Sequence, residues 1–327
     1  MNAEFAARRK QGAGVARIAL MLAALVLPGM APGQQAGGQT AQQASPPSAA
    51  AQAKAGQAGS AQATPGETKT GQAKSAAGNG RSGSPGAKAA LPKAETVLER
   101  FVEVTGGIAA YQSHKTETMT GTMSFQAMGI SGAITRYSAP GKEYSSVDLG
   151  PMVGKMEQGV LDGWAWDKTS VLGPRLKAGA ERDFAVRESE FNGAVEWKKY
   201  YSKVETKGRE AVNGEDCYQV VLTPKSGKPE THFYSVKSGL LLKSLTIAET
   251  QLGDVPAEIE YSDYKRFGGV LTATKSKQRA AGQEFTVEIT DVRVNEPIPD
   301  AQFEPPDDVR VLITKAKMNN TIDVMPR

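Results

Sequence analysis

The feature that most constrains this chain is the alternation in "ETMTGTMSFQAMG", residues 117–129. Thr118, Thr120, Thr122, Ser124 and Gln126 fall on one side, and Met119, Gly121, Met123, Phe125 and Ala127 on the other. A period of two is a β-strand with one wet face and one covered face. Covering the Met–Phe face needs either the protein's own core or a bound guest, and methionine adapts to both.

Further strand patterns follow at short intervals. "ISGAITRYS", "KEYSSVDLG" and "GKMEQGVL" come first. In "GVLDGWAWD", Asp162-Gly163 supplies the two residues of a type I′ hairpin turn, and Trp164 and Trp166 share a face. After Trp197 come "YYSKVETKG", "REAVNGEDCYQVVLTP", "ETHFYSVKSGLLLKSLTIAET", "AEIEYSDYKRF", "GVLTATKSKQRA" and "EFTVEITDVRVNEP". The connections are Gly-, Asn- and Lys-rich turns. About ten strands joined this closely should pair antiparallel. Two helices are expected. One covers 93–112, with Val97, Leu98, Phe101 and Val102 at helical spacing and Gly106-Gly107 as its break. The other covers 177–193 and ends at Asn192-Gly193. The fold class is therefore α+β: a large, curved antiparallel sheet with about two helices on its concave face.

The first ninety residues are different material. Arg8, Arg9, Lys10 and Arg17 precede the apolar run Ile18–Leu27, which Pro28 closes. Ten residues rise about 15 Å as a helix, half of a bilayer core of roughly 30 Å. Residues 1–33 thus read as a secretory signal peptide with no cysteine after the apolar run, and the protein as periplasmic or secreted. Residues 34–92 are Ala, Gly, Gln, Ser and Pro with almost no large apolar side chain. Such a segment buries too little surface to offset chain entropy and is expected to be a disordered spacer. Residues 93–306 form the folded domain, and 307–327 a C-terminal tail.

Charge follows this division. The chain has 39 Lys and Arg against 35 Asp and Glu. Residues 1–33 hold four basic and one acidic residue, and 34–92 hold five and one, which leaves 30 basic and 33 acidic residues in 93–327. The folded part carries a net −3, and gives no electrostatic case for nucleic acid. Cys217 is the only cysteine, so no internal disulfide forms and no cysteine pair exists for zinc or iron–sulfur. Its apolar strand context reads as a small buried hydrophobe.

Catalytic groups are scarce. His114 and His232 are the only histidines, and no His/Asp/Ser or His/Cys set assembles from spacing. Asp162, Asp167, Glu258 and Glu260 fit turns and solvated strand faces. No enzymatic activity, cofactor or metal is expected. Two helices do not cover so wide a sheet. Part of the inner face should therefore stay open to a hydrophobic guest. The candidate lining residues are Met119, Met123, Phe125, Ile134, Val160, Trp164, Trp166, Leu240 and Leu242.

The order "ERFVEVTGGIAAY", "LDGWAW", "LGPRLKAG", "YSVKSGLLLKS", "EYSDYKRFGGVLTATK" and "NEPIPDAQFEPP" resembles periplasmic outer-membrane lipoprotein-sorting proteins of the lipoprotein-carrier-like group, over roughly residues 93–306. The resemblance implies a half-open antiparallel barrel with a helical plug, and a cavity that shields lipid or acyl chains. It implies lipoproteins or other envelope proteins as partners. In the carriers a cavity arginine controls opening; no arginine here aligns to it, and Arg136 falls only in that general region. The alternative from another class is an envelope protein–protein interaction module with a self-filled core.

Overall fold

Tight turns dictate a meander. Both residues of Asp162-Gly163 and of Asn213-Gly214 have positive φ (50° and 79°, 51° and 83°), the backbone of a type I′ hairpin. The structure is a computed structural model that describes residues 90–250 and 253–319. The signal segment 1–33, nearly all of the spacer 34–92 and the last eight residues of the tail lie outside the described residues.

Among the described residues there are thirteen strands and five helices. In chain order, α1 is Ala94–Val104 and α2 is Gly107–Ser113. Then come β1 Glu117–Phe125, β2 Ile130–Ala139, β3 Lys142–Asp148, β4 Lys155–Leu161, β5 Trp164–Thr169 and β6 Gly173–Leu176. The connector holds α3 Gly179–Glu188 and α4 Trp197–Tyr200. The second half is β7 Tyr201–Val212, β8 Glu215–Pro224, β9 Glu230–Ser235, β10 Leu241–Thr250, β11 Gly253–Phe267, β12 Val270–Ala280 and β13 Gln283–Val294, followed by α5 Asp307–Met318. The sheet order is β6-β5-β4-β3-β2-β1-β13-β12-β11-β10-β9-β8-β7. Each half is an up-and-down meander, and the pairing of β1 with β13 joins the halves.

The class is α+β, an open antiparallel sheet with helices. The count of elements exceeds the expected ten strands and two helices. β6 is only four residues long and contains Pro174, so it carries no alternation to read. The helix expected over 93–112 is split at Gly106 (φ 142°) and Gly107 (φ 77°). A side chain at Gly106 would place its Cβ 2.6 Å from the Gly269 carbonyl oxygen, so this close approach requires glycine. The second helix ends at Ser189, before Asn192-Gly193, where the Ser189 hydroxyl donates to the Val186 carbonyl at 2.9 Å.

The sheet is curved. α3 touches both β5 and β10, which are eight strand spacings apart, about 38 Å in a flat sheet. A ten-residue helix is only about 15 Å long. Directly paired residues share a face. The pairs Val220–His232–Ser244–Ile259–Gln278–Phe285 therefore trace one inner face across β8 to β13. α1 packs on it through Leu98 and Phe101, and Phe101 meets Tyr234 edge-on at 5.4 Å. Phe184 of α3 packs on the same face against Ala248, Val255, Ala257 and Ala280.

The segment assigned above to the tail includes α5, which packs on β5 and β6 from the outside. Lys317 lies over the Trp164 ring at 6.0 Å, and Lys168 pairs with Asp308 at 2.7 Å. Val309 is fully buried and Phe303 nearly so. Removing residues 307–327 is expected to cost about 3 kcal/mol or more, since it uncovers an aromatic face and discards Val309. That corresponds to a fall in Tm of roughly 6–12 °C with a red shift of tryptophan emission. An unchanged Tm would show that α5 adds nothing to the domain.

Candidate functional site

The nine expected lining residues do not form one wall. Met119, Met123, Phe125 and Ile134 come together on the inner face, with Val147, Met156, Phe285, Val287, Ile289 and Val292. All four are buried, Met123 to 1% exposure. The Phe125 and Phe285 rings meet tilted by 37°, with centroids 5.2 Å apart. This part of the inner face is filled by its own side chains. Val160 is also inward and buried, paired with Glu143 and Ala165.

Trp164 and Trp166 lie on the other face. Trp166 pairs with Gly159, which pairs with Tyr144, which pairs with Tyr137; all point outward. The Trp166 ring occupies the space a Cβ at Gly159 would need, 2.7 Å from it, and contacts Tyr144 at 6.1 Å. A hairpin strand alternates, so Val160 and Ala165 face in while Trp164 and Trp166 face out toward α5 and the preceding segment. Leu242 sits at an irregularity of the β9–β10 register and packs outward with Val212, Cys217 and Phe233. Leu240 is half-buried in the turn before β10. Cys217 is fully buried; its thiol donates to the Glu215 carbonyl at 3.4 Å, and burial pushes it up to about 11.

Sequence reading missed a polar strip on the inner face. In β9, Glu230, His232 and Tyr234 alternate inward. Arg187 of α3 pairs with Glu230, and both are buried. The Tyr201 hydroxyl donates to Glu230 Oε2 at 3.0 Å, and His232 Nε2 stands 3.3 Å from the same oxygen. His232 Nδ1 meets the Tyr234 hydroxyl at 3.1 Å. Such a strip has carboxylate, imidazole and phenol groups within reach of one another, and it lines a small cavity of about 70 Å³ under α1, beside Trp197, Leu222 and Ile259. Trp197 also lines a groove of about 350 Å³ on the outside of the helices, with Val102, Ile108 and Val195. The remaining histidine, His114, is buried and bound through Nε2 to the Gly268 carbonyl at 2.8 Å; burial holds it below the usual imidazole range.

A second buried polar group lies on β1–β3. Arg136 points inward and pairs with Glu143, with Glu117 beside them. Burial first, then the Glu143 charge, raises Glu117 to about 7, while Arg136 opposes the rise. Of the four acids read as turn or surface groups, Asp162 is in a hairpin turn and Glu258 and Glu260 pair with Arg279. Asp167 differs: it faces inward and pairs with Arg175 at 2.6 Å. Among the described residues, no group of three or more His, Cys, Asp or Glu is arranged to hold a metal, and no helix is long and apolar enough to cross a membrane.

No protein-family model matches the chain, and no curated protein sequence matches it. Solved structures do. A DUF1329 family protein from Desulfovibrio piger is 17% identical, with a TM-score of 0.47, over 65% of this chain and 98% of that one. A putative outer membrane lipoprotein-sorting protein domain from Vibrio parahaemolyticus is 16% identical, with a TM-score of 0.46, over 64% and 97%. A LolA superfamily protein from Nitrosomonas europaea is 13% identical, with a TM-score of 0.46, over 66% and 99%. The chain is thus similar, at low identity, to structures of the lipoprotein-sorting and LolA-superfamily kind.

Proposed function

We propose that this chain is an exported, non-enzymatic binding protein for a hydrophobic or lipid-like guest in the cell envelope. Transport of lipid or lipoprotein is the role that fits such binding. The guest site is the space around Trp197, not the Met–Phe wall. The observation that carries the reading is the groove beside α1. Its roughly 350 Å³ lies within the range of ligand pockets, about 300–1,000 Å³. It joins exposed apolar surface at Ile108, which is 56% exposed, to a tryptophan that reaches the inner cavity.

Titration with an environment-sensitive apolar dye tests this. The protein should bind the dye, and Ile108→Lys should weaken binding at least fivefold. Stability should hold within about 0.5 kcal/mol, as for most exposed sites. Leu172→Lys, exposed and outside the groove, is the control and should bind as the parent does. Absence of dye binding, or an Ile108→Lys protein that binds unchanged, would sink the reading. The interaction-module alternative draws support from the filled Met–Phe wall and from β7, a twelve-residue edge strand. Its charged residues, Lys203, Glu205, Lys207 and Arg209, are the usual guard of an edge against casual pairing.

A further inference from the structure

We propose that the cavity under α1 is the head-group subsite of the guest, and that it selects a single-chain amphiphile with a neutral, hydroxyl-bearing head over an anionic one. This rests on the guest-binding reading above. Three features lead to it.

The first is size. The inner cavity, about 70 Å³, is a fifth of the groove's roughly 350 Å³. The smaller space suits a compact head and the larger one a chain. The groove has the volume for a chain, and Trp197 borders both spaces. Head inside and chain outside is the arrangement the two volumes allow.

The second is the hydrogen-bonding inventory. The cavity wall presents Glu230, His232, Tyr201, Ser244, Thr246 and Tyr261 between apolar side chains. Ser244 and Tyr261 already bond at 3.0 Å, and Tyr201 and His232 converge on Glu230. A wall built of carboxylate, imidazole and hydroxyls accepts and donates to a polyol. An alkane passing the same groups would strip them of water and return no hydrogen bond.

The third is charge. Two carboxylates, Glu188 and Glu230, line the cavity, and no lysine or arginine does. Arg187 stands behind them, 3.7 Å from Glu188 and paired with Glu230. Its charge offsets one of theirs, so the three groups leave one net negative charge at the wall. A fatty-acid or phosphate head would enter a partly desolvated site of like net charge, which is unfavourable. A glycerol head meets no such cost.

Displacement of the apolar dye from the full-length chain at pH 7.5 separates the outcomes. The probes are monodecanoylglycerol and decanoate, equal in chain length and used below their micelle concentrations. Monodecanoylglycerol should displace the dye at a concentration at least tenfold lower. Glu188→Gln should narrow that ratio to less than threefold by improving decanoate. His232→Phe should weaken monodecanoylglycerol about tenfold and leave decanoate within twofold. Dye binding with equal displacement by both probes would overturn the head-group selection and leave the guest reading standing. So would a Glu188→Gln protein that keeps the parent ratio. A protein that binds no dye would overturn both.

Discussion

Met123→Lys is expected to unfold the domain. Met123 is 1% exposed in the middle of the sheet, where β1 pairs with both β2 and β13. Its neighbours Val287, Phe125 and Ile134 are buried and apolar. The substitution loses about 1.5–3 kcal/mol of apolar burial. It also strands an ammonium with no partner, which costs several kcal/mol more. Together these approach the whole stability of an ordinary domain, about 5–15 kcal/mol. Met123→Leu, which conserves volume, should cost less than about 1.5 kcal/mol. Thr122→Lys, one residue away on the exposed face and opposite Glu288, should change little. Urea unfolding of the three variants decides the point. A Met123→Lys protein that folds at the parent midpoint and loses only dye binding would make this face a cavity wall.

The strand alternation made the sheet legible, because period two is local and needs no tertiary knowledge. The same alternation fixes which residues share a face only within one strand. Val160 and Trp164 were grouped because both are apolar. They lie on opposite faces, since the two-residue turn at Asp162-Gly163 pairs Val160 with Ala165 and Leu161 with Trp164. Counting across that hairpin would have separated them. What covers the outer aromatics was not legible. α5 carries two acids and three basic residues among its twelve, and its one fully buried side chain, Val309, is a weak signal.

The polar strip is legible in the sequence. "ETHFYS" places Glu230, His232 and Tyr234 at i, i+2 and i+4, one side of one strand. A search for His/Asp/Ser and His/Cys sets alone does not register that parity. Its partners Arg187 and Tyr201 come from α3 and β7, at sequence distances no local pattern reports. Glu117 obeys the same parity in β1. It has the parity of Met119 and Met123, so it had to face inward with them.

That inward carboxyl makes stability fall as pH rises. Glu117 is 8% exposed and faces Arg136 and Glu143 on the sheet, with Tyr111 of α2 within electrostatic reach. Arg136 is already paired with Glu143. A second negative charge on Glu117 would leave two carboxylates to one guanidinium in a dry site. In the unfolded chain the carboxyl titrates at its ordinary value of 4.5; in the fold burial holds the proton up to about 7. Between those values the folded state binds more protons than the unfolded state. The stabilising contribution is therefore complete below pH 4.5, declines through the window and is gone above pH 7. At about 1.4 kcal/mol per pH unit, the decline amounts to roughly 3 kcal/mol. Glu117→Gln keeps the shape of the protonated acid and has nothing to ionise. It should match the parent near pH 4.5, exceed it by about 2–3 kcal/mol at pH 8, and remove this slope between. Urea midpoints at half-unit steps from pH 4.5 to 8 read the effect directly. A parent curve that rises across the window, or a Glu117→Gln curve parallel to it, would show that Glu117 is ionised in the fold and that Arg136 holds both carboxylates.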